Sequence, residues 1–314
     1  MKYIEYINKL IREEVSKQEQ LIAYGQNIAA GSCLGGLTKK LQVKESGKII
    51  NSTNSENSLC GFGFGMMIGG IPSIFFMKQL DFLLLGIDHL TNTYNIIRNS
   101  EYATKSSFTI MPITVDKGYE GPQSSLNNFG DFCSISRTTG YTITNKIDAE
   151  KIIQNKLVSP GFRIITISQR LFKEELIEPE NLLYTNDDLT VFQYDDGDMV
   201  TIACFNFSFP QGYELSKELK KDKISSSLFN VNSPVETDWS KIIESAVKTK
   251  KLIVIDDSKS KNLACDSLIT EITNQCKLNK IIILKREISE EWLNPNLEEM
   301  VIDYQKITSQ LSYD

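Results

Sequence analysis

Apolar residues recur at Ile4, Ile7, Ile11 and Val15, with Leu10 beside them and lysines and glutamates between, so the spacing predicts an opening amphipathic helix. The apolar run at 21–24 is stopped by Gly25 and predicts a short buried strand. Gly31, Gly35 and Gly36 mark a loop, 37–41 a short helix, and Ile49 with Ile50 begin the next strand. The stretch 51–99 organises the rest. It reads as a polar loop with one acid, Glu56, then a tight helix carrying Gly61, Gly63, Gly65 and Gly69, then a strand at 73–76. A second helix, opened by Leu80, Asp81 and Phe82, runs over 81–98 with Leu84, Ile87, Leu90, Tyr94 and Ile97 at helical spacing. Glycine in a helix interior costs about 1 kcal/mol against alanine, so several together predict that another helix or a ligand presses on this backbone.

Further strands are predicted at 108–115, 141–144 and 162–168, with a helix at 148–157. This alternation implies a parallel sheet covered on both faces. Glu56 falls just past a strand's carboxyl end, where open α/β sheets place their ligands. The stretch 116–131 is rich in turn formers and long enough to be a functional loop. The acidic, proline-containing stretch within 169–189 is the best linker. Beyond it, strands at 199–205, 226–231, 252–256 and 281–284 alternate with helices at 212–221, 238–248 and 262–276. Asp195, Asp196, Gly197 and Asp198 lie between two strands and read as a hairpin turn. The fold class expected is α/β, with two parallel-sheet domains at 1–175 and 190–314.

Bulk properties narrow the function. The 314 residues exceed the usual size of a single core, and 41% hydrophobic with 24% charged content is that of a soluble globular chain. A formal charge of -6 argues against a nucleic-acid partner, which needs a basic face. Six cysteines without a CxxC pair suggest reduced packing residues rather than a disulfide frame or zinc site. One histidine, His89, excludes metal sites or relays built on two imidazoles of this chain. No signal-like start or membrane-length apolar run is present, so a cytoplasmic protein with no membrane span is expected.

Three groups of residues resemble the beta subunits of the thiamine diphosphate-dependent 2-oxo acid dehydrogenases, the pyruvate dehydrogenase beta-like branch of the transketolase superfamily. Asn54-Ser55-Glu56, the glycines through Gly70, Asp81-Phe82 and Asp88-His89 are similar to PISE, a small-residue helix and DFxxxxxDQ, without a gap. Met111-Pro112-Ile113 and 118–125 are similar to MPI and GxxGPQHS, and 246–256 to SVxKTxxLVVVxE. The resemblance spans almost the whole chain. It implies a transketolase-like pyrimidine-binding domain followed by a transketolase C-terminal domain.

By the same resemblance Glu56 is the catalytic and cofactor-binding glutamate. Its carboxyl holds a proton against a ring nitrogen of the aminopyrimidine of thiamine diphosphate, the cofactor that serves as electron sink. Phe82 falls where the family sets an aromatic ring against the pyrimidine. Ser124 falls where the family has a substrate-facing histidine. The family's GDG motif for diphosphate and magnesium is absent, so no metal ligand is expected here. A complete site implies an alpha-like subunit that carries the diphosphate-binding half and most of the magnesium shell, in an alpha2beta2 heterotetramer. The implied activity is oxidoreductase or transferase chemistry on a 2-oxo acid or a ketose. With serine at 124, a ketol-transferring subunit of specialised sugar metabolism and a non-catalytic scaffold or regulatory relative both stay open. Read without the family, Glu56 is a solvated loop acid, Phe82 a core residue and His89 a packing histidine.

Overall fold

The computed structural model describes residues 1–116, 127–235, 237–286 and 300–312. Helix α1 (Tyr3–Lys17) opens the chain and buries Ile4, Ile7, Leu10, Ile11 and Val15, the stripe its spacing predicts. Strands β1 (Ile22–Gly25), β2 (Lys48–Asn51), β3 (Ser73–Met77), β4 (Ser107–Thr114), β5 (Gly140–Ile143) and β6 (Gly161–Ser168) follow. They form one wholly parallel sheet in the order β2-β1-β3-β4-β6-β5. β3, β4 and β5 are buried along their full lengths because helices cover both faces. These helices are α2 (Glu56–Ile68), α3 (Tyr94–Ile97), α4 (Phe129–Ser136) and α5 (Lys146–Lys156), with α1 packed on α5. The chain leaves β1 toward β2 on one side and returns to β3 on the other. The sheet therefore has a topological switch point between β1 and β3, where a crevice opens past the carboxyl ends.

α2 shows what its glycines are for. A Cβ on Gly63 would stand 2.1 Å from the Phe108 ring, and one on Gly61 would stand 2.9 Å from the His89 imidazole. At Gly61 the close approach comes from His89 on the helical segment that follows β3, and at Gly63 from the Phe108 side chain of β4. Gly65 is open, and Phe62 on the same helix is 63% exposed. Underneath, Phe64 packs edge-to-face on Phe108 with ring centres 5.0 Å apart.

Three sequence expectations for α2, α4 and the segment between β3 and β4 are corrected. Residues 81–98 do not form one α-helix: Leu80–Gly86 is a 3-10 turn, His89–Thr93 a π-turn, and α-helical geometry is confined to 87–88 and α3. With about three residues per turn, Leu80, Leu83 and Gly86 share the inward face, which leaves Leu84 and Leu85 exposed. Gly86 is what allows this segment to lie on α2, since a Cβ there would meet Cys60 Sγ at 2.5 Å. Second, Phe129 to Asp131 open α4 rather than ending a loop. Third, Glu56 occupies the first turn of α2 instead of the preceding loop.

The second sheet contains β7 (Tyr184–Thr185), β8 (Val191–Asp195), β9 (Val200–Phe205), β10 (Ser226–Val231), β11 (Lys251–Asp256) and β12 (Lys280–Lys285), in the order β12-β11-β9-β10-β8-β7. Its helices are α6 (Phe209–Lys221), α7 (Ser240–Thr249), α8 (Asp266–Gln275) and α9 (Tyr304–Ser312). Four strands are parallel, while β8 runs antiparallel to β10 and β7 antiparallel to β8. The 195–198 turn is not a hairpin, because β10 lies between β8 and β9. The connection crosses the start of β10, and a Cβ on Gly197 would stand 2.3 Å from the Ser226 amide nitrogen.

The two sheets meet through buried polar groups. Arg170, just past β6, donates to Asp257 Oδ2 at 2.7 Å, and its backbone N–H donates to Asp116 Oδ1 at 2.9 Å. Arg286 donates through Nε to the Asp257 carbonyl. Asp148 in the first turn of α5 accepts from Asn230 and Asn232 across the seam, while burial pushes its carboxyl up to about 6. The carboxyl ends of β4, β6 and β11 thus face one another.

At the switch point, Gly25 has φ +148° and a Cβ there would stand 2.0 Å from the Phe76 carbonyl oxygen. Gly25→Ala is expected to cost about 3 kcal/mol, from strained backbone plus a displaced β3. A lowered urea midpoint with unchanged slope measures this, and an unchanged midpoint refutes it.

Candidate functional site

The switch point is where the predicted acid lies. Gln26 follows Gly25 at the end of β1, and Asn51 ends β2, with its Oδ1 accepting from the Ala29 amide at 3.0 Å. Ser55 immediately precedes α2, which starts at Glu56. This carboxyl is 6% exposed, and its Oε1 accepts from Gln26 Nε2 at 3.3 Å. A carboxylate in a helix's first turn also faces the positive end of the helix dipole. α2 is held against β1 by Tyr24, whose hydroxyl donates to the Leu59 carbonyl at 2.8 Å and whose ring stacks on Phe75. Glu56 is therefore buried and oriented, not solvated.

Phe82 lies past the end of β3, half-buried, and packs on the apolar cluster beneath α2. His89 stacks its imidazole over Gly61 and bonds Thr93 Oγ1 through Nδ1 at 2.8 Å. Ser124 lies outside the described residues, as does the rest of the 118–125 motif. Cys60 sits under Gly86, and burial followed by the nearby Glu56 charge pushes its thiol up to about 12, which keeps it a packing group.

Sequence reasoning missed two groups. Gln26 is the side chain that fixes Glu56, and nothing in its local pattern marks it. Asp81, read only as part of a motif, is 4% exposed at the carboxyl end of β3. Burial raises its carboxyl to about 7, against the opposing pull of its own amide and of the Lys259 ammonium. An acid raised in the folded state contributes stability that is full below its unfolded value, near 3.8, and is lost as pH climbs through about 7. Asp81→Asn should therefore flatten the fall of stability between pH 5 and 7.5 by an amount on the order of 2 kcal/mol. Urea unfolding at stepped pH measures the slope, and parallel curves for the two proteins contradict it.

No protein-family model matches the chain. It is 19% identical over 289 residues to the pyruvate dehydrogenase E1 component subunit beta of Staphylococcus aureus, covering 89% of this chain and 86% of that protein. The same-named subunit of Staphylococcus epidermidis is 19% identical over 265 residues, covering 82% and 80%. Among solved structures, a chain of a split-gene transketolase in an inactive beta4 tetramer superposes with a TM-score of 0.67 at 15% identity, covering 98% of this chain and 96% of that one. The motif resemblance, the sequence similarity and the fold agree. The chain has the α/β fold of a beta-like subunit of the transketolase superfamily.

Proposed function

We propose that this chain is the pyrimidine-binding, beta-type subunit of a split thiamine diphosphate-dependent enzyme acting on a 2-oxo acid or ketose. The observation that carries the reading is Glu56, buried at the β1/β3 switch point and oriented by Gln26. Two residues suit the aminopyrimidine end of the cofactor, the buried acid Glu56 and the half-buried aromatic Phe82. When bound, the cofactor supplies an acidic carbon and an electron sink. Glu56 holds a proton at a carboxyl oxygen toward a ring nitrogen, Gln26 fixes the carboxyl's orientation, and Phe82 limits water and offers a face for stacking. In this reading 1–175 is the pyrimidine-binding domain and 190–314 the transketolase C-terminal-like domain.

The diphosphate and magnesium fall to an alpha-like subunit, in an alpha2beta2 assembly. Exposed apolar groups support a covering partner: Phe62 on α2, Leu84 and Leu85 on the 3-10 turn, and Ile135 on α4, each more than half exposed. The serine at 124 and the split-gene transketolase fold favour ketol transfer as the second reading. Titrating thiamine diphosphate with magnesium into the chain plus its alpha-like partner should give saturable binding at one site per beta chain. No binding by the assembled complex overturns the proposal and leaves a scaffold role. A lipoyl-linked acyl-transfer assay against a sugar-donor assay separates the two chemistries.

A further inference from the structure

We propose that the cavity beside Asp81 binds an organic cation, a guanidinium or primary ammonium group on an apolar stem. The cavity, of about 410 Å³, is lined among others by Asp81, Leu84, Ile87, Asn128, Asp131 and Ile135. Two of its acceptors are buried without a donor, while the side chains of Ser134 and Asn262 also line it. Asp81 Oδ2 is buried without a hydrogen-bond partner, in a side chain only 4% exposed. Asn128 Oδ1 is buried and unpartnered as well, while the Asn128 amide nitrogen is used on Asp131 Oδ2 at 3.0 Å. That same Asp131 oxygen accepts from Ser260 Oγ at 2.6 Å. The Lys259 ammonium attracts Asp81 through space but gives Oδ2 no hydrogen bond.

An acceptor left unpaired in the interior is costly, more so when it carries charge. The ligand that removes this cost brings donors and positive charge. Leu84 and Ile135, 56% and 58% exposed at the cavity, offer apolar surface to a hydrocarbon stem. A hard divalent metal suits the site less well, because it takes about six or more oxygen ligands. Among the described residues no group of three or more His, Cys, Asp or Glu converges.

Butylguanidinium and butylammonium chloride are suitable probes, with neutral butylurea as control, on the full chain with labelled isoleucine and leucine methyls. Both cations should give saturable NMR shifts at Leu84, Ile87 and Ile135, and butylurea none at the same concentration. Asp81→Asn should raise the half-saturating concentration at least about tenfold. Ile135→Trp, which narrows the cavity and keeps the carboxyl, should block the probes and carries the test should Asp81→Asn not fold. Equal shifts with butylurea, or cation shifts that survive both variants, overturn the proposal. Repeated on the complex with an alpha-like subunit, shifts that persist assign the cavity to a free small cation. Shifts that vanish there assign it to a basic side chain of that subunit, and either result supports the site. Cofactor binding at Glu56 is a separate measurement, so the two readings fail independently.

Discussion

Under the proposed function, Glu56→Gln should lower turnover of the alpha–beta assembly by about a hundred- to ten-thousandfold, the usual loss when a positioned acid-base group is removed. The substitution is nearly isosteric. Its amide oxygen can still accept from Gln26 Nε2, the contact the carboxyl makes at 3.3 Å, so stability and assembly should be unchanged. What disappears is the proton that a carboxylic acid can hold toward a ring nitrogen, since an amide cannot exchange one at that oxygen. Steady-state rates with the alpha-like partner, beside urea unfolding of the variant, separate chemistry from folding. Turnover within a few-fold of the parent would remove Glu56 from the mechanism.

The largest loss of stability is expected at Arg170. Its guanidinium spans the seam between the sheets, with Asp257 Oδ2 at 2.7 Å, Asp116 Oδ2 at 3.5 Å and the Phe207 carbonyl at 3.3 Å. Asp116 and Asp257 are both 0% exposed. Arg170→Met keeps most of the stem but strands two buried carboxylates, a change worth about 3–5 kcal/mol. Arg286 Nη2, at 3.6 Å, is too far from Asp257 to replace the lost hydrogen bond. Replacing Asp257 by Asn in the same chain should recover part of the loss, because one stranded charge is then gone. A single substitution that moves the urea midpoint by less than 1 kcal/mol equivalent would show that solvent reaches the seam.

How much of this could be read from the residues depends on the range over which each feature is decided. The parallel core was legible because β3, β4 and β6 are compact apolar runs punctuated by Gly70, Lys105 and Gly161. The position of Glu56 near the switch point was legible through its place after β2. The 3-10 turn was not: Leu83, Leu84 and Leu85 are consecutive leucines, and seven residues cannot separate a period of three from one of 3.6. The start of α4 was hidden by Asn127, Asn128 and Gly130, which signal a turn. Strand order in the second sheet is set by pairing between β8 and β10, distant in sequence, so local pattern favoured a hairpin. Gln26 and Asp81 acquire their roles from partners far along the chain: Glu56 for one, and Asn128 with Lys259 for the other.

The placement of β10 between β8 and β9 has a bearing on biosynthesis. As the ribosome releases residues 191–205, these two strands have no partner in each other, and both expose ladder edges until residues 226–231 emerge and slot between them. A nascent chain arrested before Ser226 should therefore be protease-sensitive across β8 and β9, and one arrested well beyond Val231 protected there.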